Sequence, residues 1–322
     1  MRVLLLLAAA ILGSLLAVGG AHAQPGYPNK PIRVIVPFAP AGASDIVARI
    51  MTQKLGEGFR VPMVVDNRPG GGGTIGTEIA VRATPDGYTM ILVSDSYAAN
   101  AALYKLPYDP VNDVAPIVLI GESGYLVTLN PSVPVRSIKE LIAYDKANPG
   151  RLNYGSGGNG SSNHLATELF NQMAGTRITH VPYKGSVLGL GDLISGQIQL
   201  IVGSLPLMIP QVKANRLRGI ALTAARRTNA MPNIPTLGET VPGYEVAQWY
   251  AVLGPKGLPR DIVARWNNDI NRILQLSDVK ERLAGDGMEP AGGAPERYRE
   301  VLKSDVAKWQ KAVRTAGIKP GG

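Results

Sequence analysis

Short apolar runs that open into loops of small residues, each followed by a helical pattern, set the tightest limit on how this chain can fold. Ile32–Val36 leads into the loop Pro37–Ala43 and then a helical stretch, Ser44–Leu55, with Ile46, Val47, Ile50 and Met51 on one face. Met63–Val65 opens into Asn67-Arg68-Pro69 and the run Gly70–Gly73, ahead of a helix that starts near Thr74 and ends before Pro85. Tyr88–Val93 opens into Ser94-Asp95-Ser96-Tyr97-Ala98-Ala99-Asn100. Strands alternating with helices predict an α/β fold with mainly parallel strands flanked by helices. Such an arrangement gathers the loops that follow each strand at one sheet edge, where open α/β sheets bind ligands.

Farther on, Val114–Ile120 carries the chain toward a second lobe that begins around Tyr125–Leu129. A helix over Ser137–Lys146 and strands at Ile178–Val181, Ile198–Val202 and Leu217–Leu222 build that lobe, with helices between them. Thr228–Gly243 is rich in proline and turn residues and reads as a connection. Val246–Leu253 returns the chain to the first lobe, where Asp261–Leu274 and Pro295–Val313 form helices. Pro295 suits a first helical turn, and Tyr298, Val301, Leu302, Val306, Trp309 and Val313 share one face. The expected division is residues 24–122 and 246–322 in lobe one and 123–245 in lobe two. Two crossings between lobes whose loops face a common gap describe a clamshell that closes on a ligand.

The most informative single stretch is Leu152–Phe170, LNYGSGGNGSSNHLATELF. An apolar run ends at Tyr154, a glycine-rich loop follows, and a helical pattern with Leu165, Leu169 and Phe170 begins at Ser161. Ser161 or Ser162 can cap that helix, and its first amides attract an anion together with the helix dipole. Gly155, Gly157 and Gly160 spell G-x-G-x-x-G, the dinucleotide pattern. That pattern needs an acidic residue at the end of the next strand to hold a ribose. Here the next strand runs into Pro182-Tyr183-Lys184-Gly185 without a carboxylate, so a smaller anion fits better.

Composition narrows the function class. Met1–Ala23 has Arg2 ahead of the apolar run Val3–Val18 and ends on Ala21-His22-Ala23, the pattern of a cleavable export signal. With 0 Cys, disulfides and cysteine-held metals are excluded. The formal charge is +9, or +8 once Arg2 is lost (9 − 1), and the basic residues are scattered; the densest pair is Arg226-Arg227, and no nucleic-acid stripe emerges. At 45% hydrophobic and 18% charged the chain can fill a large core. His164 and His180 are the histidines left after cleavage, and H-E-x-x-H, the P-loop and G-x-S-x-G are all missing. His164 therefore reads as an anchor for its helix or loop, His180 as a strand-end residue, and Asp45 as a brace for its own helix start. Trp249 and Trp266 read as packing residues. A periplasmic hydrolase is the remotest function class. No catalytic residue, metal or cofactor is expected.

Several motifs together resemble one family. VPFAPAGASDIVAR (Val36–Arg49), VVDNRPGGGGTIGTE (Val64–Glu78), YGSGGNGSSNHLATELF, HVPYKG (His180–Gly185) and the segment Pro232–Pro242 are similar to the extracytoplasmic receptors of tripartite tricarboxylate transporters, the Bug receptors. The similarity runs from about Tyr27 to the C-terminal helix. It implies a two-lobed periplasmic-binding-protein fold and capture of a small di- or tricarboxylate, aromatic carboxylate or similar ligand. It also implies a monomer that delivers its ligand to a permease with one large and one small membrane subunit; a subunit presenting ligand to a sensor kinase would use the same cleft. Carried over by motif, Phe38, Ala39, Pro40, Ala41, Gly42 and Ala43 face Ser156, Gly157, Gly158, Asn159, Gly160 and Ser161 across the ligand, with Thr74, Ser94 and Asn100 on the remaining loops. Neither loop contains a lysine or arginine, so backbone amides plus Asn159 and Ser161 are expected to hold a carboxylate without an arginine fork. Two departures stand out. Ala41 and Ala43 replace glycines of the family's first loop, which argues against a left-handed backbone there. Gln199 replaces an aspartate expected at the rear of the cleft. The leader yields a direct prediction: intact-mass measurement of exported protein should place the mature N-terminus at Gln24, and a retained leader with the protein in the membrane fraction would overturn the export reading.

Overall fold

The computed structural model describes residues 26–316; the leader and its cleavage point lie outside them. β1 (Ile32–Val36) runs into α1 (Ala43–Phe59), β2 (Met63–Asn67), α2 (Thr74–Val81), β3 (Thr89–Ser94) and α3 (Ser96–Leu103). Strand β1 pairs in parallel with β2 on one side and β3 on the other, which sets the three following loops along one edge. Helix α1 forms because Val47, Met51, Leu55 and Phe59 recur every four residues and bury one stripe, with Ala48 beside it. It ends at Arg60, whose left-handed backbone (φ 56°) aims its amide at the Gly56 carbonyl.

Next comes β4 (Val114–Leu129), one strand of 16 residues that runs from the expected approach to the second lobe, 114–120, into that lobe's expected start, 125–129. After it follow α4 (Ile138–Ala147), β5 (Asn153–Ser156), α5 (Ser162–Ala174), β6 (Thr179–Pro182), α6 (Leu190–Ser195), β7 (Leu200–Ser204), α7 (Leu205–Lys213), β8 (Arg218–Leu222) and β9 (Ala247–Pro255). The chain closes with α8 (Arg260–Ile273), α9 (Ser277–Gly285), β10 (Glu289–Pro290) and α10 (Pro295–Ala316). The strand continues through 121–124 because β9 pairs antiparallel with β4 there as well, from Val114 opposite Pro255 to Gly124 opposite Ala247. Two register shifts absorb the irregularity. Gly121 is needed in this ribbon: a Cβ would sit 2.8 Å from both the Glu289 carbonyl and the Met288 side chain.

Strands β4 and β9 are the two crossings. In lobe one the order is β2-β1-β3-β9-β4, with β10 also on β4; β1, β2, β3 and β4 run one way and β9 and β10 run against them. Past Tyr125, β4 changes partners to β7 and β8, and lobe two continues through β5 to β6, these four running together against β4. The result is the two-lobed α/β architecture of periplasmic binding proteins.

The C-terminal helix braces both lobes. Its predicted face buries Tyr298, Leu302, Trp309 and Val313, while Val301 and Val306 are half-buried. It lies against α3 and β4 and reaches α5 of lobe two. Trp249 of β9 packs edge-on to Tyr298 and donates its indole N–H to Asp305. Trp266 is fully buried against Phe59 and bonds the Tyr27 hydroxyl at 2.7 Å. Both tryptophans are packing residues. Leu302 sits in the core shared by the two lobes, so Leu302→Ala should destabilise by about 2–5 kcal/mol, lost transfer energy plus a cavity. Urea denaturation reads this directly, and a loss under about 1 kcal/mol would show that α10 merely covers the lobes.

Candidate ligand-binding cleft

Helix starts converge on one cleft between the lobes. Its walls come from Gly42, Ala43 and Ser44 at α1, Ser94 and Ser96 at α3, Ser161, Ser162 and Asn163 at α5, and Ser204 and Leu207 at α7. Phe38, Ala39, Tyr125, Gly157, Gly185, Ser186, Val187 and Gln248 complete it. Helices α1 and α7 touch across the cleft, as do α3 and α5, so each pair joins the two lobes. The empty space, open mouth included, is about 490 Å³. None of the lining residues carries a charge. The first-turn amides of a helix lack partners within it, so this cavity attracts an anion by dipoles alone.

Among the residues expected from sequence, Phe38, Ala39, Gly42, Ala43, Ser94, Gly157 and Ser161 line this cleft. The others stand elsewhere. Pro40 and Ala41 are exposed at the turn outside it. Ala41 takes the left-handed conformation (φ 60°) that its side chain argued against. Asp45 holds that turn, accepting from the Ala41 N–H at 2.9 Å while bound to Arg49 at 2.8 Å. Burial works to raise the Asp45 carboxyl, but the bonds from Arg49 and Ala41 outweigh it and hold it low. Thr74 caps the short turn 71–73 through the Gly71 carbonyl, and Asn100 holds the Gly72 carbonyl at 3.1 Å.

The glycine loop differs most from expectation. Its amides close on the loop itself: Gly157 N–H donates to Asn163 Oδ1 (3.1 Å), Gly158 N–H to Ser156 Oγ (3.0 Å), and Gly160 N–H to His164 Nδ1 (3.3 Å). Ser161 N–H donates to the Gly158 carbonyl. The amides left for a ligand therefore belong to the first turns of the helices, not to the loop. Gly158 and Asn159 face a second, outer groove with Tyr104, Tyr183 and Lys184. Asn159 offers its carbonyl to the Tyr104 hydroxyl of lobe one at 2.7 Å, and Gly72 packs on the same carbonyl, leaving no room for a Cβ (2.6 Å). Asn163, not Asn159, is the organising side chain: it also accepts from Ser161 Oγ at 2.8 Å and donates to Ser186 at 2.9 Å. Gln199 is remote from the cleft, bonded to the Asn153 amide at the far end of β5 and to the Gly196 carbonyl. Arg68 is paired with Asp66.

Residues that sequence reasoning did not name as ligand contacts, Ser44, Ser96, Ser186 and Ser204 with Asn163, join Ser162, named only as a cap, in repeating one device, a small polar residue at or near the start of a helix. Pro206 in the first turn of α7 was a usable signal for that helix start. Gln248 is the second residue of β9, bonded to Ser204 at 2.7 Å, and carries no local signal.

Behind the loop, Tyr154, His180 and His164 form a stack, with ring centroids 4.8 and 4.2 Å apart. His180 Nε2 lies 2.6 Å from Ser156 Oγ. Burial pulls His164 down to about 4, and burial plus His164 itself pull His180 down to about 3. Both rings are neutral in the fold, whereas in the unfolded chain they protonate below about 6.5. Their stabilisation is thus complete above that pH and is lost as pH falls from about 6.5 toward 4. Calorimetry between pH 7 and 4.5 should find the melting temperature of His164→Gln falling less steeply than that of the natural protein; equal slopes would contradict the neutral-ring account.

Comparison with known proteins places this geometry. The family model described as tripartite tricarboxylate transporter family receptor matches residues 47–318. Rpa4515 of R. palustris, solved with adipate, has a TM-score of 0.89 at 36% identity, covering 92% of this chain and 100% of that one. The periplasmic binding protein BugD gives 0.88 at 30%, covering 91% and 99%. MatC from Rhodopseudomonas palustris, solved with bound malate, gives 0.85 at 29%, covering 89% and 100%. By family match and by fold alike, the chain belongs to the receptors of the tripartite tricarboxylate transporter family, the Bug proteins, which bind solutes and are not enzymes.

Proposed function

We propose that this protein is a periplasmic receptor that captures a small carboxylate between its lobes and hands it to a permease of one large and one small membrane subunit. The observation that carries the reading is the uncharged cavity where the starts of α1, α3, α5 and α7 meet. A carboxylate accepts hydrogen bonds only, and first-turn amides and serine hydroxyls are donors, so the two sets match. The neighbours solved with adipate and with malate support a ligand of that size and charge. The leader ending at Ala23 supports export. Hinge motion belongs where β4 and β9 cross, near residues 122–125 and 246–248, with residues 24–122 and 246–322 moving as one lobe against 123–245. The protein acts as a monomer.

The test is calorimetry with succinate, malate, adipate and benzoate. At least one should bind, and failure of all four would remove the carboxylate reading. Asn163→Ala takes away the acceptor that shapes the 157–161 loop and should weaken binding by about 10- to 100-fold, the equivalent of roughly 1.5–3 kcal/mol. Arg68→Ala and Lys184→Ala should stay within about two-fold, because both lie outside the cleft and exposed charges contribute little. Loss of binding in Arg68→Ala with Asn163→Ala intact would make the site a salt-bridge pocket instead.

A further inference from the structure

One carboxyl group lies behind the cleft where no cation answers it. Asp95 is fully buried between the end of β3 and the start of α3. The Tyr125 hydroxyl of the crossing strand donates to it, 2.9 Å from one oxygen and 3.1 Å from the other. The Ser162 hydroxyl, at the start of α5 in the opposite lobe, lies beside the carboxyl without the geometry of a full hydrogen bond. The titratable groups facing this cluster are Tyr125 on β4, Tyr250 on β9 and Asp305 on α10. None is a cation. Asp95 is flanked by Ser94 and Ser96 and neighboured by Ser162, all three of which line the cavity. It therefore occupies the region into which α3 and α5 would draw a ligand's negative charge.

Resting on the carboxylate reading above, we infer that Asp95 makes ligand capture proton-linked. With the lobes apart, water and the start of α3 stabilise its carboxylate. When the lobes close on an anion, Ser162 returns, water leaves, and a second negative charge comes to the same helix starts. Two like charges in one dry region cannot both persist, so Asp95 takes one proton from solvent and becomes a neutral acid. Burial in this structure, only partly offset by Ser162 and Tyr125 and reinforced by Asp305, already pushes the group up to about 8. The ligand's charge adds to that push. Receptor and anion thus come together with a proton, and the closed complex has one negative charge fewer than its parts.

Calorimetry of the natural protein with succinate, malate, adipate and benzoate, at pH 7 and 8 in phosphate and in Tris, separates proton uptake from binding heat, because the two buffers release protons with different heats. The expected result is uptake approaching one proton per ligand. The dissociation constant should rise with pH across 6.5–8.5, by up to about ten-fold per unit, the limit for one linked proton. Asp95→Asn keeps the shape without the proton and should bind with affinity flat over that range and with no uptake. Binding by the natural protein with equal heats in both buffers and no pH slope would overturn the inference and leave the carboxylate reading standing. If none of the four ligands binds, the carboxylate reading itself falls and takes this inference with it. Should Asp95→Asn fail to fold, the two-buffer measurement on the natural protein still decides.

Discussion

Two strands that stay paired where the lobes part hold this molecule together. Strands β4 and β9 share an unbroken antiparallel ladder from Val114 opposite Pro255 to Gly124 opposite Ala247, and β4 then passes into the second sheet. A backbone ladder tolerates twist better than shear, since its hydrogen bonds persist through rotation but not through a slip of register. The ribbon is consequently a place where the lobes can turn without unfolding. Helix α10 limits how far, because its apolar face is shared between α3, β4 and α5. Every loop that reaches the cleft takes its position from one sheet or the other, and so from this pair.

The second constraint is electrostatic. Guanidinium and ammonium groups bring their own hydration and a net charge that burial penalises, whereas a helix start brings donors that are fixed and already short of partners. Pairing α1 with α7 and α3 with α5 places such starts on both lobes, so a ligand held as proposed would complete the helices of both at once. The rest of the loop chemistry is self-contained. Asn163, His164 and Ser156 satisfy the glycine-loop amides internally, and the loop therefore keeps its shape whether or not the cleft is occupied.

Much of the architecture was legible in the sequence because period and punctuation agree: apolar runs of strand length, small-residue loops, then amphipathic helices. The clearest addition in the fold was β4, whose continuity through Gly121 and Gly124 the pattern did not announce. Their pairing on β9 is with Tyr250 and Ala247, far along the chain, and local pattern holds no trace of it. Which loops approach the cleft could be read from the strands they follow. Which atoms face it could not. Ala41 shows why: a left-handed alanine is disfavoured locally, yet the Asp45 acceptor holds it there. Gln199 shows the reverse, a position assigned to the cleft by resemblance that the register of β5 turns toward its far end.

The serines that line the cleft have a consequence for how receptors of this build diversify. An amide or a guanidinium has a fixed polarity, but a hydroxyl turns about one bond and can donate or accept as its neighbour requires. Ser44, Ser94, Ser96, Ser161, Ser186 and Ser204 form a wall of hydroxyls, of which Ser186 and Ser204, accepting from Asn163 and Gln248, keep their protons for a guest. Such a surface reads outline more than chemistry, and the outline is drawn by Leu207, Val187, Phe38 and Gln248. Exchange of one of those four can re-cut the cavity for a new molecule while the donors around it need only rotate. A scaffold with this property can spawn many receptors from a single design, each tuned by its contours and not by rebuilt charges.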